Sequence, residues 1–282
     1  MERRQLGRTG LRVPVIGMGT RRAFNVKDDA GAARCEAVVD AAIDAGANLF
    51  DTSPMEGEAE RVLGLALADR RDEALVATKV WARTRAVGEA QIERALDWFE
   101  RLDLYLVHNL LAVRDHLPLL EKLRAQDQVG AVGGSHYLPS AHADLIDLIR
   151  EQKLSVVEVT YHPLERAAED ELLAVAEQTH TGVLVMRPFG GGALLENPPA
   201  VAELEPLAPF GVRTWPQALL KWILSDPRVH AVIPGTSSVE HVRENAAAGD
   251  PPWLREPERE LVQKLAERAR LNHLADARGR SS

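Results

Sequence analysis

Three ionisable side chains stand at the ends of short apolar runs: Asp51 after Asn48-Leu-Phe, Lys79 after Leu75-Val-Ala-Thr, and His108 after Leu104-Tyr-Leu-Val. A charge at the end of a buried run is costly unless an opposite charge meets it. Asp51 can supply the anion that Lys79 needs. His108 can hydrogen-bond to either of them or to a substrate oxygen. His162, just past Tyr161, is a fourth such position. A set of this kind suits proton transfer to or from oxygen. It also fits a plainer role, a structural Asp–Lys pair beside a capped histidine. Glu56 lies in the polar turn that follows Asp51. It is either a solvated member of the run Glu56-Gly-Glu58-Ala-Glu60 or a buried acid with a displaced pKa.

These residues share a site only if the strands that carry them end on the same side. Short apolar strands recur near positions 16, 49, 77, 106, 133, 157, 184 and 231, and amphipathic helices fall between them. Most steps are about 24 to 33 residues, the length of a βα unit. Eight such units predict an α/β fold, a closed (β/α)8 TIM barrel whose C-terminal strand ends share one mouth. Gly7-Arg-Thr-Gly10 predicts an N-terminal β-hairpin over residues 2–15, and the pattern ends in an extra C-terminal helix, Pro257–Ala269. Helices are expected over Gly88–Leu102, Leu117–Gln128 and Ser140–Glu151, the last with Ser140 as its cap. The long gap before the eighth strand reads as a surface excursion over the mouth, and the tail from Asn272 on as frayed. The competing fold is an open doubly wound sheet. It calls for a Gly-x-Gly-x-x-Gly turn, whereas Gly17-Met18-Gly19 runs straight into Arg21-Arg22. No linker interrupts residues 1–282, which read as one domain.

Bulk properties narrow the function. A net charge of −8 argues against nucleic-acid or anionic-membrane partners. No apolar run is long enough to span a bilayer, and the first residues lack the core of a signal peptide. The single cysteine, Cys35, excludes an internal disulfide, and the histidines show no metal-ligand spacing. The expectation is a cytoplasmic protein without a metal. Trp215 and Trp222, seven residues apart on one helix, and Trp98 with Phe99 read as core, while Trp81 could line a cleft or pack inside.

Along nearly its whole length the chain resembles the aldo-keto reductases. The resemblance rests on Leu6-Gly-Arg-Thr-Gly-Leu-Arg-Val, Gly17-Met-Gly-Thr20, Asn48-Leu-Phe-Asp-Thr with Glu60-Arg-Val-Leu-Gly64, and Ala77-Thr-Lys79. Further on it rests on Asp103-Leu-Tyr-Leu-Val-His108-Asn109, Gly134-Ser-His-Tyr137, Arg187-Pro-Phe-Gly-Gly-Gly192 and Val232-Ile-Pro-Gly-Thr-Ser237 with His241-Val-Arg-Glu-Asn245. It implies a nicotinamide cofactor, NADP(H) or NAD(H), lying across the mouth, and reduction of a small aldehyde or ketone by an Asp, a Tyr, a Lys and a His. Asp51, Lys79 and His108 take three of those places. The tyrosine's place, five residues after the Asp, is Glu56.

By the same resemblance Gly19, Thr20 and Asp51 border the nicotinamide, and Ser135 with His136 hold its carboxamide where Ser-Asn is usual. Glu158 stands where a Gln usually contacts that amide, and Met186 where an aromatic ring often stacks. Arg187, Pro188, Phe189, Gly190 and Gly191 follow the pyrophosphate. Gly235, Thr236, Ser237 and His241 follow the adenosine phosphate, and Glu244 and Asn245 the adenine. Gly235 and His241 replace the usual Lys and Arg at the 2′-phosphate, which leaves NADPH against NADH open. Arg21 and Arg22, where an aromatic is common, could draw an anionic substrate, touch a cofactor phosphate or be solvated.

The unusual residue carries the functional question. Hydride attack on a carbonyl makes an alkoxide that needs a proton donor. Lys79 favours the ionised form of Glu56, which cannot donate; burial favours the neutral form, which can. The readings are therefore an NAD(P)H-dependent carbonyl reductase with an altered or impaired acid, a nicotinamide-nucleotide-binding protein with lost catalysis, or a barrel enzyme without nicotinamide that uses Glu56 and Lys79 as an acid–base pair.

Overall fold

The computed structural model describes residues 1–279. A two-stranded antiparallel hairpin, β1 (Arg3–Gln5) and β2 (Arg12–Pro14), opens the chain. Eight parallel strands follow: β3 (Met18–Gly19), β4 (Leu49–Asp51), β5 (Leu75–Val80), β6 (Leu102–His108), β7 (Val129–His136), β8 (Val156–Thr160), β9 (Gly182–Met186) and β10 (Ala231–Val232). They pair in sequence order from β3 to β10. Parallel bridges Ile16–Val232 and Gly19–Gly235 join the first strand to the last and close the ring. The crossovers are helices α1 (Asp29–Asp44), α2 (Ala59–Leu67), α3 (Arg85–Phe99), α4 (Val113–Ala125), α5 (His142–Arg150), α6 (Leu172–Gln178) and α7 (Trp215–Leu224). After β10 come α8 (Val239–Ala246) and α9 (Glu256–Gly279). The fold is the (β/α)8 barrel with an N-terminal hairpin.

Alternation along the strands makes two apolar layers. Leu49, Ala77, Leu104, Leu106, Ala131, Val156, Leu184 and Ala231 fill the barrel, and Leu6 and Val13 of the hairpin plug its N-terminal end. The opposite faces, such as Phe50, Tyr105, Val132 and Val157, pack under the helices. A Cβ on Gly133 would stand 2.4 Å from Leu106 Cδ2, so this glycine makes room for the interior leucine. Gly7, at φ 49°, lets the hairpin press on the backbone at Thr181–Gly182.

Several boundaries differ from the sequence reading. Helix α3 stops at Phe99, and Leu102 already belongs to β6, where it pairs with Val129. Helix α4 begins at Val113 and tolerates Pro118 in its second turn. Ser140 caps nothing: it lies in a 3-10 turn, Pro139–Ala141, and α5 starts after Ala141. The long excursion after β9 is not bare loop. It forms 3-10 segments Gly190–Leu195 and Val201–Phe210, buries Leu204, Leu207 and Phe210, and is fixed by Trp215 Nε1–H donating to Leu194 O at 2.7 Å. It is tied to α9 by the Arg268–Glu203 ion pair. Helix α9 runs to Gly279, past Asn272, where fraying was expected. Among the described residues no helix is long and apolar enough to cross a membrane.

Candidate active site

The period of two that places Leu49, Ala77, Leu104 and Leu106, and Val156 inside the barrel also sets the next inward positions. Two residues on from Leu49, Ala77, Leu106 and Val156 are Asp51, Lys79, His108 and Glu158. Each therefore projects inward at the C-terminal end, one layer above the apolar fill. Ser135 joins this layer, paired in register with His108 on one side and Glu158 on the other. The barrel thus gathers five polar side chains from five adjacent strands.

Lys79 is the centre. Its Nζ donates to Asp51 Oδ1 and, at 3.1 Å, to Thr52 O. Glu158 Oε2 lies 3.2 Å from the same nitrogen without the alignment of a hydrogen bond, and it has no other partner. Lys79 and Glu158 are each only 2% exposed. Burial pulls the ammonium pKa down, but Asp51, Glu158 and Glu56 outweigh it and the net direction is up. Burial raises Asp51, against the pull of Lys79. Burial, then the charge of Asp51, pushes Glu158 up to about 8. Asp51 holds the aligned contact to Lys79, and burial makes both its carboxyl and that of Glu158 bind a proton more readily than free ones do.

Glu56 arrives from the turn after β4, a 3-10 segment Pro54–Glu56 capped by Ser53. The hydroxyl of fully buried Thr20 donates to Glu56 Oε2 at 2.8 Å. Glu56 is half-buried, with its carboxylate end bonded to Thr20. Burial pushes it up to about 7, assisted by Asp51 and opposed by Lys79, the Thr20 hydrogen bond and Arg21. The sequence left two opposing effects on this group, and burial prevails. The solvated-run alternative is set aside for Glu56. Glu60 is also buried, but it faces away from the mouth and accepts from Thr78 Oγ1 at 2.6 Å.

His108 Nδ1 meets Ser135 Oγ at 2.7 Å. Burial first, and then the charges of Lys79, His136, Arg21 and Arg187, drop its pKa to about 3, so the ring is neutral. When Ser135 donates to Nδ1, the imidazole proton sits on Nε2. His162 is not in contact with this group: its Nδ1 accepts from Leu164 N–H within its own turn, and its Nε2 lies beside Gly190. Tyr161 is also away from the mouth, bonded to Glu169 and Arg259, while Tyr137 lies flat against His136 and under the Arg187 guanidinium at 4.5 Å. Trp215 and Trp222 are core, whereas Trp81 stays 40% exposed at the end of β5.

The remaining expected cofactor residues line the same rim. Arg187 has φ 52°, and Gly190, Gly191 and Gly192 have φ 58°, 72° and 108°. Open space surrounds the last two glycines. Gly235 N and Cα lie close over Gly19. Thr236 Oγ1 is 3.3 Å from His241 Nδ1, Ser238 caps α8, and Asn245 is buried. Thr20's grip on Glu56 and the arginines facing Arg187 were not visible as contacts in the sequence. A Thr directly after strand β3 was the only hint. The orphaned Glu158 oxygen, the open glycine backbone and the guanidiniums of Arg21, Arg22 and Arg187, which have no ion pair among the described residues, together fit a polar, anionic dinucleotide.

The aldo/keto reductase family matches residues 15–266 of the chain. The chain is 30% identical over 246 residues to the methylglyoxal reductase YeaE of Escherichia coli, covering 83% of this chain and 85% of that protein. It is 28% identical over 236 residues to a D-threo-aldose 1-dehydrogenase from a Pseudomonas species, covering 67% and 70%. An aldo-keto reductase from Klebsiella pneumoniae, solved in complex with NADPH, is similar with a TM-score of 0.77 and 25% identity over 94% of this chain and 96% of that one.

Proposed function

The chain belongs to the aldo/keto reductase family, and we propose that it is an NADP(H)-dependent oxidoreductase that reduces small aldehydes or ketones with Glu56 as the proton donor. The observation that carries this reading is the Glu56 carboxyl, raised to about 7 and held by Thr20 beside the Lys79 cluster. A carboxylic acid that is about half protonated near neutral pH can give a proton to an alkoxide and recover it from water.

Each residue then has a role. A nicotinamide held across the mouth would supply the hydride. His108 directs Nε2–H at the carbonyl oxygen, with Ser135 fixing the tautomer. Lys79 places a buried positive charge below the developing oxyanion, and Asp51 anchors that charge. Protonated Glu158 offers one donor and one acceptor to the carboxamide, which is what a glutamine offers there. Ser135 and His136 serve the same end. The glycines after Arg187 hold the pyrophosphate, and Gly235–Ser237, His241, Glu244 and Asn245 the adenosine end.

The NADPH complex of the Klebsiella relative supports NADP(H) as the cofactor. The test is direct. Purified protein is titrated with NADPH and with NADH by calorimetry, then assayed for NADPH oxidation with a panel of small aldehydes, methylglyoxal included. Binding and turnover are expected. Failure to bind either nucleotide sinks the reading. Binding without turnover of any carbonyl compound favours a nucleotide-binding protein that has lost catalysis.

A further inference from the structure

We propose that the site has a second activity that needs no hydride: it enolises α-hydroxy aldehydes and ketones, and so interconverts them, with Glu56 as the base that takes the proton from carbon and His108 as the electrophile at the carbonyl oxygen. The inference shares with the reductase reading only the place where the carbonyl binds.

The side chains stand where such a reaction needs them. The Thr20 hydroxyl donates to Glu56 Oε2 at 2.8 Å, and the Thr20 N–H is itself held by Asp51 O at 3.0 Å. Glu56 is thus fixed to the same Asp51–Thr52 segment that holds the Lys79 ammonium. The strand ladder pairs Lys79 with Leu106, which puts His108 two residues nearer the mouth than the lysine. Ser135 Oγ occupies His108 Nδ1 at 2.7 Å, so Nε2 is the free nitrogen. Among the described residues neither Glu56 Oε1 nor His108 Nε2 has a hydrogen-bond partner, and neither atom is sealed in by the protein. The open oxygen of a carboxylate and the open N–H of an imidazole, with an ammonium beneath them, are the parts that proton transfer next to a carbonyl requires.

The residue type at position 56 decides which reactions are open. The tyrosine expected there holds its proton to about pH 10 in water and is a poor base at neutral pH. A carboxyl becomes a base once it ionises. Glu56 does so at about 7, raised by burial and Asp51 and lowered by Lys79, the Thr20 hydrogen bond and Arg21. Near neutral pH the site therefore holds both forms. The acid serves reduction, and the carboxylate serves enolisation.

The step balances without a redox partner. The carbonyl oxygen accepts a hydrogen bond from His108 Nε2–H, which the neutral ring retains. The α-C–H bond breaks. Its proton goes to Glu56 Oε1, its electron pair forms the C=C bond, and the carbonyl π pair moves onto oxygen in the field of Lys79. Nε2 gives its proton to that oxygen and takes the proton of the α-hydroxyl in return. Glu56 then delivers its proton to the former carbonyl carbon, and the former carbinol carbon becomes the carbonyl. An α-hydroxyl is what makes the product a different compound, which sets the substrate class.

The experiment follows D-glyceraldehyde and hydroxyacetone in D2O by proton NMR, with the protein saturated with NADP+ and with no nucleotide. Neither condition supplies a hydride. Deuterium uptake at carbon and, from glyceraldehyde, formation of dihydroxyacetone are expected. E56Q carries the same surface amines and should lose the activity ~10²-fold or more. E56Y should lose it too while still oxidising NADPH with aldehydes. In the native protein the isomerisation rate should rise about tenfold per unit up to about pH 7 and level off above it, the reverse of the profile expected for reduction. NADPH affinity, measured by calorimetry, shows that each variant is folded, and the native pH profile needs no variant. An E56Q rate equal to the native one, a native rate that falls above pH 7, or no conversion above the protein-free rate overturns the inference and leaves the reductase reading standing. Glu56-dependent isomerisation with no reduction of any aldehyde overturns the reductase reading instead.

Discussion

The perturbation that probes the centre of this mechanism is pH, applied to the native protein and to two variants at position 56. Glu56 ionises at about 7 where an ordinary glutamate ionises at 4.5. Only the protonated form donates, so at pH 7 about half the molecules are competent, at pH 8 about a tenth, and at pH 9 about a hundredth. The rate of carbonyl reduction should therefore fall about tenfold per unit above roughly pH 7. His108 does not add a limb in this range, because its pKa of about 3 keeps it neutral throughout. Glu56→Gln keeps size and a hydrogen-bond donor but has no proton to transfer. It should lose about 10²–10⁴ in kcat while binding NADPH normally. Glu56→Tyr supplies a phenol that ionises near 10 in water, lowered beside Lys79, and should move the alkaline limb upward by one or more units. The assay is NADPH oxidation at 340 nm (a property of the reduced nicotinamide) across roughly pH 5.5 to 9.5, with nucleotide affinity measured alongside. A profile that stays flat from about pH 6 to 9, or an undiminished kcat in Glu56→Gln, would refute the assignment of Glu56 as the donor.

Three further outcomes are expected from the buried charges. Glu158, Glu56 and Glu60 all bind protons more tightly folded than unfolded, so stability is greatest on the acid side and is lost as pH rises from 4.5 through about 7 to 8. Glu158→Gln removes the largest of these penalties: the difference in unfolding free energy between variant and native protein should be small near pH 5 and grow in the variant's favour by pH 8.5, on the order of a few kcal/mol; a pH-independent difference would contradict the buried-proton assignment. Lys79→Met leaves Asp51 and Glu158 buried without a counter-charge, and thermal or urea unfolding should show about 3–5 kcal/mol lost at pH 8 and less at pH 5; replacing Asp51 by Asn in the same chain should recover part of it. Ser135→Ala removes the hydrogen bond that fixes the His108 tautomer, and kcat should drop about tenfold, matching one buried hydrogen bond of ~1.4 kcal/mol; an unchanged kcat would remove Ser135 from the proton-directing role.

The barrel was legible because its signal is repeated. Eight apolar runs at βα spacing point to one closed architecture, and an error in any one of them leaves the rest intact. The errors fell where local signals compete with tertiary ones. Leu102 continues the helical pattern of Ile92 and Phe99, yet its backbone is claimed by the ladder to Val129. Ser140 has the chemistry of a cap, but Pro139 starts a tighter turn before it, so α5 begins without a side-chain cap. The excursion after β9 reads as loop by its prolines. In the folded chain it buries Leu204, Leu207 and Phe210 and packs on α7 and α9, with Pro206 and Pro209 inside a 3-10 segment.

The site was legible in a different sense, by residue and not by state. Strand-end logic placed Asp51, Lys79 and His108 together, since a period of two from a buried residue lands on the same face whatever the residue is. The same logic said nothing about protons. A sequence shows that Glu56 stands near a lysine, which argues for a carboxylate; it does not show that Asp51 already occupies that lysine, with Glu158 against it at 3.2 Å. With three carboxyls around one ammonium, the second and third cannot all remain charged in a barrel interior. The two departures at Glu56 and Glu158 are thus linked. Glu56 makes Glu158 harder to ionise, while burial and Asp51 do the same for Glu56, so both positions favour the carboxylic acid over the carboxylate. Removing the Glu56 charge should therefore shift Glu158: in Glu56→Gln the loss of stability linked to Glu158 ionisation should be complete at lower pH, and an end point that stays in place would show that the two carboxyls titrate independently.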